Sequence, residues 1–150
     1  MRIDHIAIAV HNLEEAIVNY RKVLKADDLH IEAVDSEKVR VAMIRLNDTR
    51  IELMEPTADD SPIKKFLVDR GEGIHHIAIT ADEIEKDVAR ATENGIKILG
   101  GLRPGSYGRR ITFIHPKSMN GVLMELCEAP SRADSRGSQQ RNHKHKGSIV

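Results

Sequence analysis

The sequence is poor in several features that mark special classes of protein. It has one cysteine, Cys127, in 150 residues, which excludes disulfide bonds within the chain and favours a reducing compartment. Its aromatic residues are two Tyr and two Phe, with no Trp. No apolar run reaches the roughly 18 residues that a membrane helix needs, and the N-terminus lacks the apolar segment of a signal peptide. We therefore expect a cytoplasmic protein that does not associate with membranes.

The chain also has no net charge, since 23 Lys and Arg residues balance 23 Asp and Glu residues. The two signs are unevenly distributed along the chain. Residues 131–150 hold five basic residues against one acidic residue, a net +4, which leaves −4 on residues 1–130. An acidic body argues against nucleic-acid binding, which depends on neutralising phosphates. Because the basic segment is polar and has no apolar period, we predict a folded domain over 1–130 and a disordered tail over 131–150.

Three segments have the spacing and the end signals of amphipathic helices. Each follows a residue whose side chain can cap a helix N-terminus, and the predicted caps are Asn12, Ser61 and Asp82. A glutamate three residues after Asn12 and three residues after Asp82 completes the pattern of a capping box. Glycines stop the second and third helices, at Gly71 and Gly95.

Short runs of branched apolar residues predict strands, and the order of elements is β-α-β-β-β, twice. The predicted strands are 3–10, 39–46, 50–54, 74–80, 96–99, 111–115 and 122–127. The letters repeat as well, since DHIAI at 4–8 matches HHIAI at 75–79 and ELMEP at 52–56 matches ELCEAP at 125–130. Such a duplication predicts modules at about 1–70 and 71–130. We expect an α+β fold in which two βαβββ modules, in a pseudo-twofold repeat, form a curled mixed sheet.

Four polar residues occupy equivalent places in the predicted strands of the two modules: His5, Glu52, His76 and Glu125. Alternate side chains of a strand share a face, and these four point away from the apolar face that the helices cover. The same alternation predicts that His75 lies on the other face. If the modules pair about a pseudo-twofold axis, two imidazoles and two carboxylates meet. This set suits a divalent ion and leaves coordination positions open for substrate oxygens.

The stretches around these residues resemble the vicinal oxygen chelate superfamily and, within it, the methylmalonyl-CoA epimerases. The matching stretches are IDHIAIAV at 3–10, RIELMEP at 50–56, GEGIHHIA at 71–78, FIHPKS at 113–118 and GVLMEL at 121–126. The resemblance covers residues 1 to about 130. It implies one divalent metal ion held by His5, Glu52, His76 and Glu125. We expect Co²⁺ first, with Ni²⁺, Mn²⁺, Zn²⁺ or Mg²⁺ as alternatives.

The resemblance also implies an activity and partners. The reaction would interconvert (2R)- and (2S)-methylmalonyl-CoA through an enediolate, with Glu125 as an acid/base and an acyl-CoA as the substrate. The second acid/base stays open, because Val41 stands where some family members have a catalytic Glu and Glu37 is out of register. A homodimer is expected. For basic residues of the glycine-containing loop at 103–110, which we predict to be mobile, a solvated surface is favoured over coenzyme A contact.

Other activities of the same fold stay open at this point. A lactoylglutathione lyase uses related proton transfer and has Glu as its second ligand, like Glu52 here, where some epimerases have Gln. A small-molecule-binding resistance protein of the bleomycin kind shares the fold without the metal. A dioxygenase normally uses two His and one carboxylate, so a fourth ligand argues against that activity.

Overall fold

A computed structural model describes residues 1–130, and the predicted tail over 131–150 lies outside them. In this part of the chain, eight strands form one sheet and three α-helices accompany it. The strands are β1 (Arg2–Ala9), β2 (Leu29–Val34), β3 (Val39–Leu46), β4 (Thr49–Pro56), β5 (Gly73–Thr80), β6 (Ile98–Pro104), β7 (Arg110–Ile114) and β8 (Met124–Cys127). The helices are α1 (Leu13–Leu24), α2 (Pro62–Arg70) and α3 (Ile84–Glu93). None of these helices is long and apolar enough to span a bilayer.

The strand order is β2-β3-β4-β1-β5-β8-β7-β6, so the sheet consists of two halves with the same internal order. In each half the first strand pairs in parallel with the last, β1 with β4 and β5 with β8. At the centre of the sheet, β1 and β5 pair antiparallel and join the halves. The predicted α+β fold of two βαβββ units in a curled mixed sheet is confirmed. The second strand of the first unit, β2, had no predicted bounds.

The first two helices begin as predicted and cover opposite faces of the sheet. The Asn12 side chain accepts a hydrogen bond from the backbone N–H of Glu15 at 3.0 Å, and the Ser61 hydroxyl accepts one from Ile63 at 3.2 Å. Helix α1 packs on the face that carries Ala42, whereas α2 packs on the face that carries Val41. Because residues 41 and 42 are neighbours in β3, α2 lies on the face to which His5 and Glu52 also belong. The prediction that these side chains point away from the helix-covered face therefore holds for α1 and is wrong for α2.

The N-terminus of α3 differs from the prediction. The predicted cap, Asp82, makes no capping bond to the helix, and the helix begins after Glu83. The Asp87 carboxylate instead reaches back and accepts hydrogen bonds from the backbone N–H groups of Asp82 at 2.9 Å and Glu83 at 3.2 Å. A buried carboxylate in the first turn thus satisfies donors that the helix itself leaves free.

Each central strand contains a β-bulge directly before its histidine. In the β1–β5 ladder Ile3 pairs with Ile79 but His5 pairs with Ala78, so Asp4 is an extra residue in β1. Further along, Ala7 pairs with His76 while Ile8 pairs with Ile74, so His75 is an extra residue in β5. A bulge breaks the alternation of faces and re-aims a side chain.

We expect Asp87→Ala to lower the free energy of unfolding by about 1 to 3 kcal/mol, because it leaves two N–H groups without their charged acceptor. Urea denaturation followed by circular dichroism measures this loss. Glu85→Ala, at the exposed residue expected to complete the capping box, is the matched control and should change stability little. Equal losses in both variants would contradict the assignment of the cap to Asp87.

Candidate functional site

A cavity on the α2 side of the sheet holds the four residues singled out from the sequence. His5, Glu52, His76 and Glu125 all line it. The surrounding wall is largely apolar and comes from both modules. Its aliphatic and aromatic members are Val34, Val39, Val41, Met54, Ile63, Leu99, Ile111, Phe113 and Leu123. The cavity therefore combines a polar floor with a largely apolar wall, as small-molecule sites do.

The strand registers explain why the four polar side chains meet. Ala7 of β1 pairs with Glu52 on one side and His76 on the other. Ala78 of β5 likewise lies between Glu125 and the remaining histidine. Residues paired across neighbouring strands project from the same face. Both alanines are fully buried, and their small methyl groups leave room for the imidazoles and carboxylates beside them.

The ring nitrogens and carboxylate oxygens lie within a few ångströms of one another. His5 Nε2 is 3.3 Å from His76 Nε2 and 3.3 Å from Glu52 Oε2. Glu125 Oε2 is 3.4 Å from His76 Nε2. All four side chains are buried. Within residues 1–130, donor atoms of His5, Glu52 and His76 all lie within 4.8 Å of one another, with Glu125 against both histidines.

The close packing of these groups shifts their protonation equilibria. Burial alone would lower the pKa of His5, but the carboxylates of Glu52, Asp4 and Glu125 around it raise that pKa to about 10. Burial alone would raise the pKa of Glu52, whereas His5, His76 and the Ser106 hydroxyl lower it to about 2. The two shifts have the same cause, because the charged forms of His5 and Glu52 attract each other across 3.3 Å.

Asp4 is a buried residue of the site that the sequence pattern did not single out. Its carboxylate lies 2.9 Å from Nδ1 of His5, on the side of the ring away from the cavity centre. It also accepts hydrogen bonds from Arg109 at 2.8 and 2.9 Å, from Arg50 at 2.9 Å and from the Thr80 hydroxyl at 3.3 Å. Against the effect of burial, His5 and the guanidinium groups hold the pKa of Asp4 well below its usual range.

The prediction for His75 is wrong. Because of the bulge, its ring lies beside the histidine that follows, with 2.9 Å between Nδ1 of His75 and Nδ1 of His76, and it lines the cavity. The ring also meets Phe66 of α2 edge to face, with 5.0 Å between centroids. Burial, followed by the nearby His76, lowers the pKa of His75 to about 4, so this ring is neutral at pH 7.

The loop between β6 and β7, expected to be mobile, is bound to the opposite module. Ser106 donates a hydrogen bond to Glu52 Oε1 at 3.1 Å, and the backbone N–H of Tyr107 donates one to Glu32 at 2.8 Å. Ser36 donates one to the carbonyl of Pro104 at 2.7 Å. Sequence reasoning missed Ser106 because only the curl of the sheet brings residues so distant along the chain together.

Two positions considered for a second acid/base also line the cavity. Val41 contributes an apolar wall and no titratable group. Glu37 forms an ion pair with Arg103 of the other module. Arg103 and Arg109 are thus engaged with carboxylates within the protein and do not form the solvated surface that their loop position favoured.

The donor set fits a divalent cation. Two imidazole nitrogens and two carboxylates are buried together at the floor of a cavity that spans both modules. Mixed nitrogen and oxygen donors suit first-row divalent ions, and the two carboxylates would balance the charge of such an ion. The roles of the four residues as ligands, and of Glu125 in catalysis, stay predictions.

Known proteins resemble this chain in sequence and in fold over most of its length. Residues 4–113 match the Glyoxalase/Bleomycin resistance protein/Dioxygenase superfamily. An ethylmalonyl-CoA/methylmalonyl-CoA epimerase of Cereibacter sphaeroides is 39% identical over 128 residues, covering 83% of this chain and 96% of that protein. An uncharacterized protein of Bacillus subtilis is 36% identical over 143 residues, covering 95% of this chain and 98% of that protein.

A solved structure adds a likeness in three dimensions. A variant of Streptomyces coelicolor methylmalonyl-CoA epimerase, in complex with 2-nitronate-propionyl-CoA, superposes with a TM-score of 0.84. It is 39% identical, and the match covers 87% of this chain and 96% of that one. With its two βαβββ units and these relatives, the chain belongs to the glyoxalase/bleomycin resistance/dioxygenase superfamily, also called the vicinal oxygen chelate superfamily, and within it to the group of the methylmalonyl-CoA epimerases.

Proposed function

We propose that this protein is a metal-dependent epimerase that interconverts (2R)- and (2S)-methylmalonyl-CoA. The observation that carries the proposal is the convergence of two imidazoles and two carboxylates, all buried, in a cavity with apolar walls. The identity of 39% to an ethylmalonyl-CoA/methylmalonyl-CoA epimerase over nearly all of that protein supports it. The acyl-CoA bound to the Streptomyces coelicolor enzyme supports an acyl-CoA as the substrate class.

His5, Glu52, His76 and Glu125 would hold the metal ion. We expect Co²⁺ first and Ni²⁺, Mn²⁺, Zn²⁺ or Mg²⁺ as alternatives. A bound divalent cation would polarise the thioester and carboxylate oxygens of the substrate, which makes the α-proton between them easier to remove. The apolar part of the cavity wall, which includes Val41 and Phe113, would limit the access of water to a substrate carbon held beside Glu125.

Glu125 is the group that we assign to proton transfer. Its carboxylate lies against the two ligand histidines, whereas Glu52 is also held by the Ser106 hydroxyl. In the forward step the α C–H bond breaks, the proton moves to a Glu125 oxygen, and the electron pair moves into the thioester carbonyl to give an enediolate. A proton added to the opposite face gives the other epimer. Since residue 41 is Val, that proton comes from a group other than residue 41.

A lactoylglutathione lyase is a second candidate function, and Glu52 is the residue that favours it. That reaction also passes through an enediolate, so a site with two carboxylates serves it equally well. Turnover of a hemithioacetal, compared with turnover of methylmalonyl-CoA under the same conditions, separates the two activities. A protein that turns over neither substrate and binds no metal would instead fit a small-molecule-binding resistance protein.

An apolar stripe supports the expected homodimer. On the face of the sheet opposite the cavity, Ile3 and Ile74 of the two central strands are 49% and 64% exposed. Ile6, Ile77 and Ile79 of the same strands are half-buried. Contiguous exposed apolar residues are typical of protein interfaces, and in a twofold dimer the same stripe of both copies would be covered. A cytoplasmic location stays a prediction.

The reaction predicts exchange of the substrate α-proton with solvent. In D₂O the metal-loaded protein should wash deuterium into the α-carbon of methylmalonyl-CoA, as mass spectrometry detects. Glu125→Gln should slow this exchange by about 10²-fold or more, because it removes the proton acceptor. Glu128→Gln is the matched control, because Glu128 is close to Glu125 in the sequence but lies at the protein surface. Absence of exchange in the metal-loaded wild type would overturn the epimerase proposal.

Metal binding should depend steeply on pH. A protonated His5 cannot bind a cation, and its pKa of about 10 lies above neutral pH in the metal-free protein. Affinity should therefore rise with pH up to that value, by about tenfold for each pH unit while one proton is displaced. Calorimetric titration with Zn²⁺ in buffers of different ionisation enthalpy counts the released protons. An affinity that does not change between pH 6.5 and pH 8 would contradict this displacement.

A charged substitution in the apolar stripe tests the homodimer. Ile74→Glu should shift the protein from dimer to monomer in sedimentation velocity, because a dimer formed through the stripe would have to bury a carboxylate from each protomer among apolar side chains. Val68→Glu, at a residue of α2 that is 75% exposed, is the control and should leave the dimer intact. A wild-type protein that sediments as a monomer at high concentration would overturn the dimer.

A further inference from the structure

The two bulges of the central strands place one residue behind each histidine of the site. In β1 the extra residue is Asp4, and its carboxylate lies 2.9 Å from Nδ1 of His5. In β5 the extra residue is His75, and its ring nitrogen lies 2.9 Å from Nδ1 of His76. The duplicated modules therefore build the same support twice, but with an anion on one side and a neutral ring on the other.

The surroundings of Asp4 leave its carboxylate only one way to interact with the imidazole. Arg109 and Arg50 donate hydrogen bonds to both of its oxygens, and Asp4 is fully buried. An ionised carboxylate accepts hydrogen bonds and donates none. The proton between the two residues must therefore be on Nδ1 of His5. In a neutral imidazole, Nε2 then carries a lone pair that faces the other donors of the site.

His76 has no such constraint. The His75 ring can donate to Nδ1 of His76 or accept from it, because either nitrogen of a neutral imidazole can carry the proton. The His75 ring meets Phe66 edge to face, which is a packing contact and not an ion pair. The orientation of His76 therefore depends on packing, and that of His5 on an ion-pair network.

We propose that Asp4 is a positioning residue for the metal centre, held by Arg50 and Arg109, which fixes His5 with its proton on Nδ1 and its Nε2 available to the cation. The inference rests on the metal site of the proposed function and extends it by one residue. It also makes the two histidines unequal, since only His5 is backed by a carboxylate. A carboxylate behind a metal-bound imidazole sets its tautomer and raises its basicity.

The variant Asp4→Asn tests this role. The Asn side chain is nearly isosteric, and its carbonyl oxygen would turn toward the two guanidinium donors. Its NH₂ group would then face Nδ1 of His5 and favour the tautomer with the proton on Nε2, where it blocks the cation. We expect the affinity for Zn²⁺, measured by competition with a chromophoric chelator, to fall about 10- to 100-fold.

Asp87→Asn is the matched control, because it makes the same change at another buried carboxylate that caps α3 and does not line the cavity. It should keep the affinity of the wild type for Zn²⁺. The role of Asp4 would be overturned if the wild type binds Zn²⁺ through its histidines and Asp4→Asn binds it with equal affinity. That result would leave the proposed metal site intact. A wild-type protein whose histidine spectra do not respond to Zn²⁺ would overturn both.

A measurement on the wild type keeps the proposal testable if Asp4→Asn does not fold. In the Zn²⁺-loaded, ¹⁵N-labelled protein, long-range ¹H–¹⁵N spectra of the histidine rings should show a protonated Nδ1 and a metal-bound Nε2 for His5. A proton on Nε2 of His5, or coordination through its Nδ1, would contradict the proposal. A loss of general stability would not produce the tautomer change that the proposal predicts for Asp4→Asn.

Discussion

The antiparallel pairing of β1 with β5 is the interaction on which the rest of the site depends. It is the only ladder between the two halves of the described sheet, and it contains both histidines. Since β4 and β8 pair in parallel with these strands, the register of the central ladder also decides where Glu52 and Glu125 lie. A slip of one residue would turn the side chains of one half to the other face. The apolar side chains packed under α1 and α2 oppose such a slip.

Burial of so many charges requires that each has a partner. Asp4 is fully buried and is matched by two guanidinium groups, and Glu52 is matched by a histidine and a hydroxyl. An ion pair buried in this way is costly to desolvate, and removing one member leaves the other uncompensated. The ion-pair network of Asp4, Arg50 and Arg109 and the carboxylates around Nε2 of His5 are therefore coupled electrostatically through the imidazole. A divalent cation would replace the proton on His5 as the charge that holds the carboxylates together.

Alternation and repetition along the chain were sufficient to predict the fold and the convergence of the four polar side chains. The DHIAI and HHIAI segments carried that information, because equivalent residues of a duplicated strand occupy equivalent places. The bulges could not be predicted, because strict alternation assumes that every residue of a strand pairs with one residue of its neighbour. His75 was therefore assigned to the wrong face. Asp87 replaced the predicted cap because a carboxylate one turn inside the helix can reach the same N–H groups. Ser106 and Arg109 reach the site through contacts distant in sequence, which no local pattern encodes.

The site is symmetric in its four innermost residues, whereas the hydrogen-bond partners of these residues differ between the two modules. Glu52 is bound by Ser106, whereas within residues 1–130 Glu125 lies against the histidines and accepts no hydrogen bond from a hydroxyl. Asp4 backs one histidine and a neutral ring backs the other. An epimerase acts on both faces of one carbon, and a duplicated frame supplies groups on both sides. If the four residues act as proposed, all four hold the cation, and Glu125, the less firmly anchored carboxylate, also moves the proton. The duplication would then supply the ligands, and the divergence of their neighbours would leave one ligand free to transfer a proton.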